Sequence, residues 1–141
     1  MSSLKSVTDA IASVAETSFF AFAEPAEGPL PSGAECYEIC VAFAGAFSGV
    51  VRIVMPIALA RDLSAAFSGA GPGDELEADS VVDLAGEFGN MACGTWLTGL
   101  GEAVIFSLSH PLVSRCDAPA AHTAVMLIND QPISVELELE S

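Results

Sequence analysis

The sequence predicts an α+β domain, a mostly antiparallel sheet with helices packed on one face, from three observations. Helical and extended patterns follow one another in the order helix, two strands, helix, helix, then three or four strands. Strands that are neighbours in sequence and lack long crossovers favour antiparallel pairing. The length of 141 residues suits one domain, and we expect a single domain over 1–141.

The first half of the chain is predicted to hold two helices and a strand hairpin. Apolar residues spaced three and four apart predict a helix over 4–22, and the three prolines and two glycines of 24–33 predict a loop. Segments 35–44 and 50–55 have the composition of two strands joined by a glycine-bracketed turn. The second helix is predicted to start near Pro56, because proline suits a first helical turn.

The second half is predicted to hold the longest helix, over 76–100, followed by strands. The last strand is the clearest, because apolar residues alternate with serine and glutamate from Ile133 onward. This alternation predicts one face turned inward and one acidic face in water. The strand segments are predicted at 103–109, 111–116, 122–128 and 133–140.

The apolar segment 41–60 raises the question of a membrane span. Hydrophobic residues make up 52% of the chain and its mean hydropathy is +0.54, which indicates either a span or a large buried fraction that includes a subunit interface. The segment is long enough to cross a bilayer. However, Arg52 lies near its middle and Pro56 interrupts it, so a hairpin that runs into a helix is the better interpretation. We expect no membrane association and no signal peptide.

The charge balance argues against nucleic acid as a partner. The net charge is -15, with only four lysines and arginines, and such a surface repels a phosphate backbone. Among these few cations, Arg52 is expected to pair with an acid across the sheet, and Arg61 to lie on the second helix.

Cysteine and histidine spacing gives no metal or redox pattern. Cysteines stand at positions 36, 40, 93 and 116 without a C-x-x-C pair, which predicts buried thiols in a reducing cytoplasm. His110 and His122 have no partner at ligand or catalytic spacing, and His110 is expected at a strand bend before Pro111. We therefore expect no metal site and a cytoplasmic protein.

The polar stripe of the long helix is the candidate functional surface. On a helical wheel, Asp83, Glu87 and Asn90 share one face with Gly86 and Gly94, whereas Gly89 lies on the packed side. The face opposite the stripe is predicted to turn inward and contains Val81, Ala85, Phe88, Ala92, Thr95 and Trp96. Glycine inside a helix costs about 1 kcal/mol relative to alanine. The stripe is thus either a solvated face with tolerated glycines or a low surface that another molecule approaches closely.

The stretch "DLAGEFGN", residues 83–90, resembles the active-site helix of the CheC/CheX/FliY chemotaxis phosphatases, whose pattern is an Asp or Ser, three residues, Glu, two residues, Asn. The segment 107–113, which runs into Pro111, and the terminal strand pair are also similar to that family. CheC-like members carry the motif twice. A copy in the first helix would need asparagine three residues after Glu16, where this chain has Phe19. The single motif therefore resembles CheX, whose members form homodimers.

The resemblance implies a phosphatase that acts on a phospho-aspartyl response regulator of the CheY type. Asn90 would position the attacking water, and Glu87 would pair with a lysine of the regulator. Asp83, Gly86 and Gly94 would contact the partner. The regulator would bring its own Mg²⁺, so that the chain needs no cofactor. Two alternatives stay open: a non-catalytic module of the same fold that docks a regulator or an adaptor, and an unrelated α+β ligand-binding or assembly domain.

Overall fold

The computed structural model describes residues 3–26, 35–69, 77–100, 106–116 and 124–140. Within these ranges the chain forms three helices and seven strands, in the order α1 (Ser3–Ser18), β1 (Ala23–Ala26), β2 (Cys36–Gly45), β3 (Gly49–Pro56), α2 (Ile57–Ser68), α3 (Ala78–Thr98), β4 (Phe106–Leu108), β5 (Leu112–Cys116), β6 (Ala124–Ile128) and β7 (Gln131–Leu139). All the strand pairs are antiparallel, and the predicted α+β class is confirmed.

The sheet has the order β1-β6-β7-β3-β2-β4, and β5 also pairs with β2. Both β4 and β5 pair with the edge of β2 that faces away from β3, one after the other along that strand. Leu108 of β4 lies opposite Phe43, and Leu112 of β5 lies opposite Cys40. Two short strands therefore share one long neighbour and together form this edge of the sheet.

The core lies between one face of the sheet and the three helices. Alternate residues of the central strands enter it, as a pleated strand requires, among them Ile39, Val41, Val51, Ile53, Ile133 and Val135. On the opposite face, the Arg52 guanidinium donates hydrogen bonds of 2.8 Å to Glu136 and to Glu138. The predicted pairing of Arg52 with an acid across the sheet is thus confirmed.

The apolar segment 41–60 contains the end of β2, all of β3 and the start of α2, as the hairpin interpretation predicted. Arg61 lies on α2, also as expected. None of the helices in the described ranges is both long and apolar enough to cross a membrane.

The sequence placed the end of the first helix wrongly. The helix was predicted to reach residue 22, but α1 ends at Ser18, where the N–H groups of both Phe19 and Ala21 bond to the carbonyl of Ala15. Phe20 has a φ of 57°, in the left-handed region that a continuing helix does not allow. Its ring is 80% exposed.

Strand β1 was missed, because three of its four residues fall in the predicted loop 24–33. Pro25 lacks an N–H group, but β1 is an edge strand bonded only to β6, where proline is tolerated. Just before it, Phe22 N–H donates to Asn129 Oδ1 and Asn129 N–H donates to the Phe22 carbonyl, both at 2.8 Å. The rest of the predicted loop, 27–33, lies outside the described residues.

Burial departs from the prediction at a few strand positions. Ser134, expected on the wet face of the last strand, is buried between its neighbours Val54 and Val125, whereas Leu139 is exposed at the strand end.

Buried thiols are confirmed for two of the four cysteines, and the other two are half-buried. The buried cysteines are Cys36 and Cys93, and the half-buried ones are Cys40 and Cys116.

Candidate functional site

Helix α3 carries the polar stripe and is apolar on its opposite side. It follows Glu77, which is extended, and its first turn holds Asp79, an acid that is favourable at the positive end of the helix dipole. The predicted inward side is confirmed at five of six positions, and Thr95 is exposed instead. The five buried residues are Val81, Ala85, Phe88, Ala92 and Trp96.

Two aromatic contacts and one close approach fix α3 on the sheet. Phe88 packs edge-on against Phe19, the residue that follows α1, with ring centroids 5.3 Å apart, and Trp96 packs edge-on against Phe43 of β2 at 5.4 Å. Between them, a Cβ atom at Gly89 would lie 2.5 Å from Ile39 Cγ2, closer than real atoms approach. Glycine at this position lets the helix backbone pack directly on the Ile39 side chain of β2, which holds α3 close to the sheet.

The outward face presents the three motif side chains. Asp83 and Glu87 are exposed, and Asn90 is half-buried. Glu87 and Asn90 stand three residues apart, which makes them neighbours on the surface of one helix. In the described part of the chain, no hydrogen bond or ion pair engages the Glu87 carboxylate or the Asn90 carboxamide. Both groups can therefore bind another molecule without first breaking an internal contact.

Gly86 does not lie on an open surface, and the prediction that it does is wrong. It is buried, and a Cβ atom there would lie 3.2 Å from Pro111 Cγ and 3.4 Å from Val113 Cγ2. The helical wheel locates Gly86 on the flank of the stripe, but it cannot show that an edge strand covers this flank. The glycine is explained by packing within the chain.

Gly94 is half-buried at the rim of the same surface. A Cβ atom there would meet only Leu108 Cδ1, at an ordinary contact distance of 3.7 Å. Since Leu108 lies beside Gly94 and Pro111 lies beside Gly86, the connection from β4 to β5 runs along α3 in the opposite direction. Its middle, Ser109 and His110, therefore falls between the levels of Gly94 and Gly86 along the helix, as Asn90 does.

The connection is fastened to β2 rather than loose. Ala42 N–H donates to Ser109 Oγ at 3.1 Å, and Ser109 N–H donates to the Ala42 carbonyl at 2.9 Å. The sequence reasoning did not single out Ser109, although a serine before a proline-containing bend is a usual bracing residue. His110 is exposed at the predicted bend between the strands, and His122 lies outside the described residues.

The groups with shifted pKa values lie below or behind this surface. Burial raises the pKa of the Cys93 thiol to about 11. Burial and the neighbouring Glu38 raise the pKa of Cys40, and the hydrogen bond to Glu138 raises the pKa of Arg52. The described ranges contain no group of three or more histidine, cysteine, aspartate or glutamate side chains placed to hold a metal ion.

A family model described as "Chemotaxis phosphatase CheX" matches residues 37–124, which include α3 and the connection beside it. The chain belongs to the CheX family. A search of curated proteins returned no match to the sequence.

Solved structures show that the CheX fold extends over nearly the whole chain. A putative chemotaxis protein from Desulfovibrio vulgaris Hildenborough is 20% identical, with a TM-score of 0.75 over 99% of this chain and 97% of that one. The chemotaxis protein CheX from Vibrio vulnificus is 19% identical, with a TM-score of 0.76 over 99% and 97%. The CheX–CheY–BeF3–Mg²⁺ complex from Borrelia burgdorferi contains a chain that is 15% identical, with a TM-score of 0.68 over 99% of both.

Proposed function

We propose that this CheX-family protein hydrolyses the aspartyl phosphate of a response regulator of the CheY type. The observation that carries the proposal is the pairing, on a helix packed against β2, of an exposed carboxylate and a half-buried carboxamide that no hydrogen bond or ion pair engages within the described residues. Membership of a chemotaxis phosphatase family supports it. So does the Borrelia burgdorferi complex, in which CheX is found with CheY, BeF3 and Mg²⁺.

In the proposed reaction, Asn90 positions the attacking water. Its side-chain oxygen accepts a hydrogen bond from the water, and its NH₂ group donates to a phosphoryl oxygen. The water oxygen forms a bond to phosphorus while the bond to the aspartyl oxygen breaks, which yields inorganic phosphate and a free carboxylate on the regulator. Positioning of this kind can lower a barrier by several kcal/mol, and it requires a carboxamide that does not drift. The contacts of Phe88 and Gly89 beneath the helix support this role, because they hold the backbone that carries Asn90 against its neighbours.

Glu87 is proposed to dock the regulator through a charge-assisted hydrogen bond to a lysine beside its phosphorylation site. Asp83 stands one turn earlier on the same exposed face and adds a weaker contact. Gly94 leaves the rim low for the incoming partner. The regulator's own Mg²⁺ neutralises phosphoryl charge, and we propose no cofactor on this chain.

We also propose that the protein works as a homodimer. Several large apolar side chains are exposed, including Phe20 at 80%, Leu112 at 70% and Phe22 at 61%. Exposed apolar surface of this kind marks interaction sites. Light scattering behind a sizing column should give twice the mass of 14.4 kDa, and a mass near 14.4 kDa at micromolar concentration would remove the homodimer.

The decisive experiment follows the phosphate. Response regulators from the same genome are phosphorylated, and loss of phosphoaspartate is timed with and without the protein. We expect faster loss for at least one regulator, near-complete loss of this acceleration with Asn90→Ala, and no effect of Thr95→Ala, a matched change at an exposed position of the same helix. Binding of a regulator without any acceleration would establish the non-catalytic docking module instead.

A further inference from the structure

The structure points to Arg115 as a second docking residue, which selects regulators that carry an acidic side chain opposite the first half of α3 when their phosphorylation site lies at Asn90. This inference rests on the proposed function and adds to it a contact of opposite charge. Glu87 is proposed to bind a cation of the partner, and we infer that Arg115, on the neighbouring strand, binds an anion of the same partner.

The position of Arg115 follows from the strand that covers the flank of α3. Val113 lies against Gly86 of α3, and Arg115 is two residues further along β5, so that both side chains leave the same face of the sheet. The cross-strand neighbour of Arg115 is Tyr37, which is buried in the core under the helices. Arg115 therefore stands on the helix side of the edge strand, about 7 Å beyond Val113 along the chain.

The direction of the strand places Arg115 beside the acidic half of α3. Leu108 is next to Gly94 and Pro111 is next to Gly86, so that later residues of this edge lie nearer the start of the helix. The exposed acids Asp79 and Asp83 are in that half. Arg115 thus lies at the border of the acidic surface formed by Asp79 and Asp83, and it forms no ion pair with either acid.

Arg115 is one of few cations in the chain, and it is uncommitted. Of the four lysines and arginines, Lys5 pairs with Asp9, and Arg52 pairs with two glutamates. Arg115 and Arg61 are exposed, and neither forms an ion pair in the part of the chain that the structure describes. Internal pairing therefore does not account for Arg115, whereas a partner that lies over α3 and the edge strand would reach it.

Two contacts of opposite charge fix the orientation of a partner. A regulator that presents a cation to Glu87 and an anion to Arg115 can dock in one sense, because turning it by half a rotation sets like charges against each other. An acidic strip alone would attract any basic surface without this preference. Arg115 is accordingly a specificity-determining residue, while the reacting water stays with Asn90.

The test compares Arg115→Glu with Arg61→Glu. Each exchange replaces a charge of +1 by -1 and takes the net charge from -15 to -17, at an exposed arginine without an ion pair in either case. The probe is the regulator carrying beryllofluoride and Mg²⁺, and the measurements are its Kd and the hydrolysis rate at saturating phosphorylated regulator. We expect Arg115→Glu to raise the Kd about five- to tenfold at low salt and much less at high salt.

Three further results decide the matter. Arg61→Glu should change the Kd less than twofold. Arg115→Gln should raise the Kd, but less than Arg115→Glu does. The hydrolysis rate of the Arg115 variants at saturating phosphorylated regulator should equal that of the parent protein. The inference would be overturned if the two charge reversals changed the Kd equally, or if neither Arg115 variant changed it. In both cases the proposed function would still stand, provided that the parent protein accelerates the loss of phosphoaspartate. A parent that neither binds nor dephosphorylates any regulator would overturn both.

Discussion

The Cγ2 methyl group of Ile39 occupies the space in which a side chain at Gly89 would begin, 2.5 Å from the position of a Cβ atom there. At this point the backbone of helix α3 lies on the Ile39 side chain of β2, and α3 itself contributes no side chain to the contact. The height of α3 above the sheet at this point is therefore set by one glycine and one isoleucine.

Gly89→Ala should destabilise the protein. Alanine favours a helix over glycine by about 1 kcal/mol, but the added methyl must displace Ile39, whose Cγ2 is bound to a branched carbon and cannot swing away. Overpacking of this kind typically costs about 1–3 kcal/mol. Chemical denaturation should give a net loss in the free energy of unfolding, and a gain would show that α3 can lift from β2 without cost.

Gly94→Ala should have the opposite effect on stability. Its Cβ atom would meet Leu108 at 3.7 Å, an ordinary contact, so that the helix gains most of the propensity of alanine, about 0.5–1 kcal/mol. If the low rim serves docking, the same variant should bind the beryllofluoride-loaded regulator more weakly. A more stable variant with unchanged affinity would take Gly94 out of the docking surface.

Glu87→Gln should weaken regulator binding more than Asp83→Asn does. The first change removes a proposed charge-assisted hydrogen bond, worth about 1.5–3 kcal/mol, or roughly tenfold or more in Kd. The second removes only a flanking charge, worth at most about 1 kcal/mol. Titration calorimetry of both variants measures the difference, and the reverse ranking would exchange the roles given to the two acids.

Cys93 should make stability fall as the pH rises from 9 to 11. Its pKa is raised by burial from 9.0 to about 11, so that between these values the unfolded thiol releases its proton while the folded one retains it. The unfolded state then binds fewer protons, and the free energy of unfolding declines with pH. Denaturation of Cys93→Ala over the same range provides the control, because its curve should lack this part of the decline. Parallel curves for the parent and the variant would contradict the prediction.

Local patterns predicted most of the fold. The hairpin of β2 and β3, the start of α2 after Pro56 and the length of α3 follow from periodicity and from glycine and proline placement, which act over a few residues. Strand β1 could not be predicted in this way. Its four residues include Pro25 and become a strand only because β6, far along the chain, offers an unpaired edge.

The candidate site was predicted as a stripe but not as a surface. The helical wheel correctly set Gly89 inward, and the structure adds that Asn90 is half-buried. The helical wheel could not show that Pro111 covers Gly86, or that Arg115 lies toward the acidic half of α3. Both depend on the pairing of β5 with β2 across a long stretch of sequence. Alternation through Pro111, Val113 and Arg115 was the one available signal, and it becomes informative only when the neighbouring strand is known.

The sharing of one edge of β2 between β4 and β5 has a consequence for motion. A short strand that is bonded on one side opens more readily than a central strand such as β3, so that the amide protons of β5 should exchange with solvent sooner. The border of the candidate site is therefore expected to open more readily than the central strands of the sheet. A regulator that binds to both α3 and β5 should slow the opening of this strand. Slower amide exchange along Leu112–Cys116 in the presence of the regulator would therefore detect binding at individual residues.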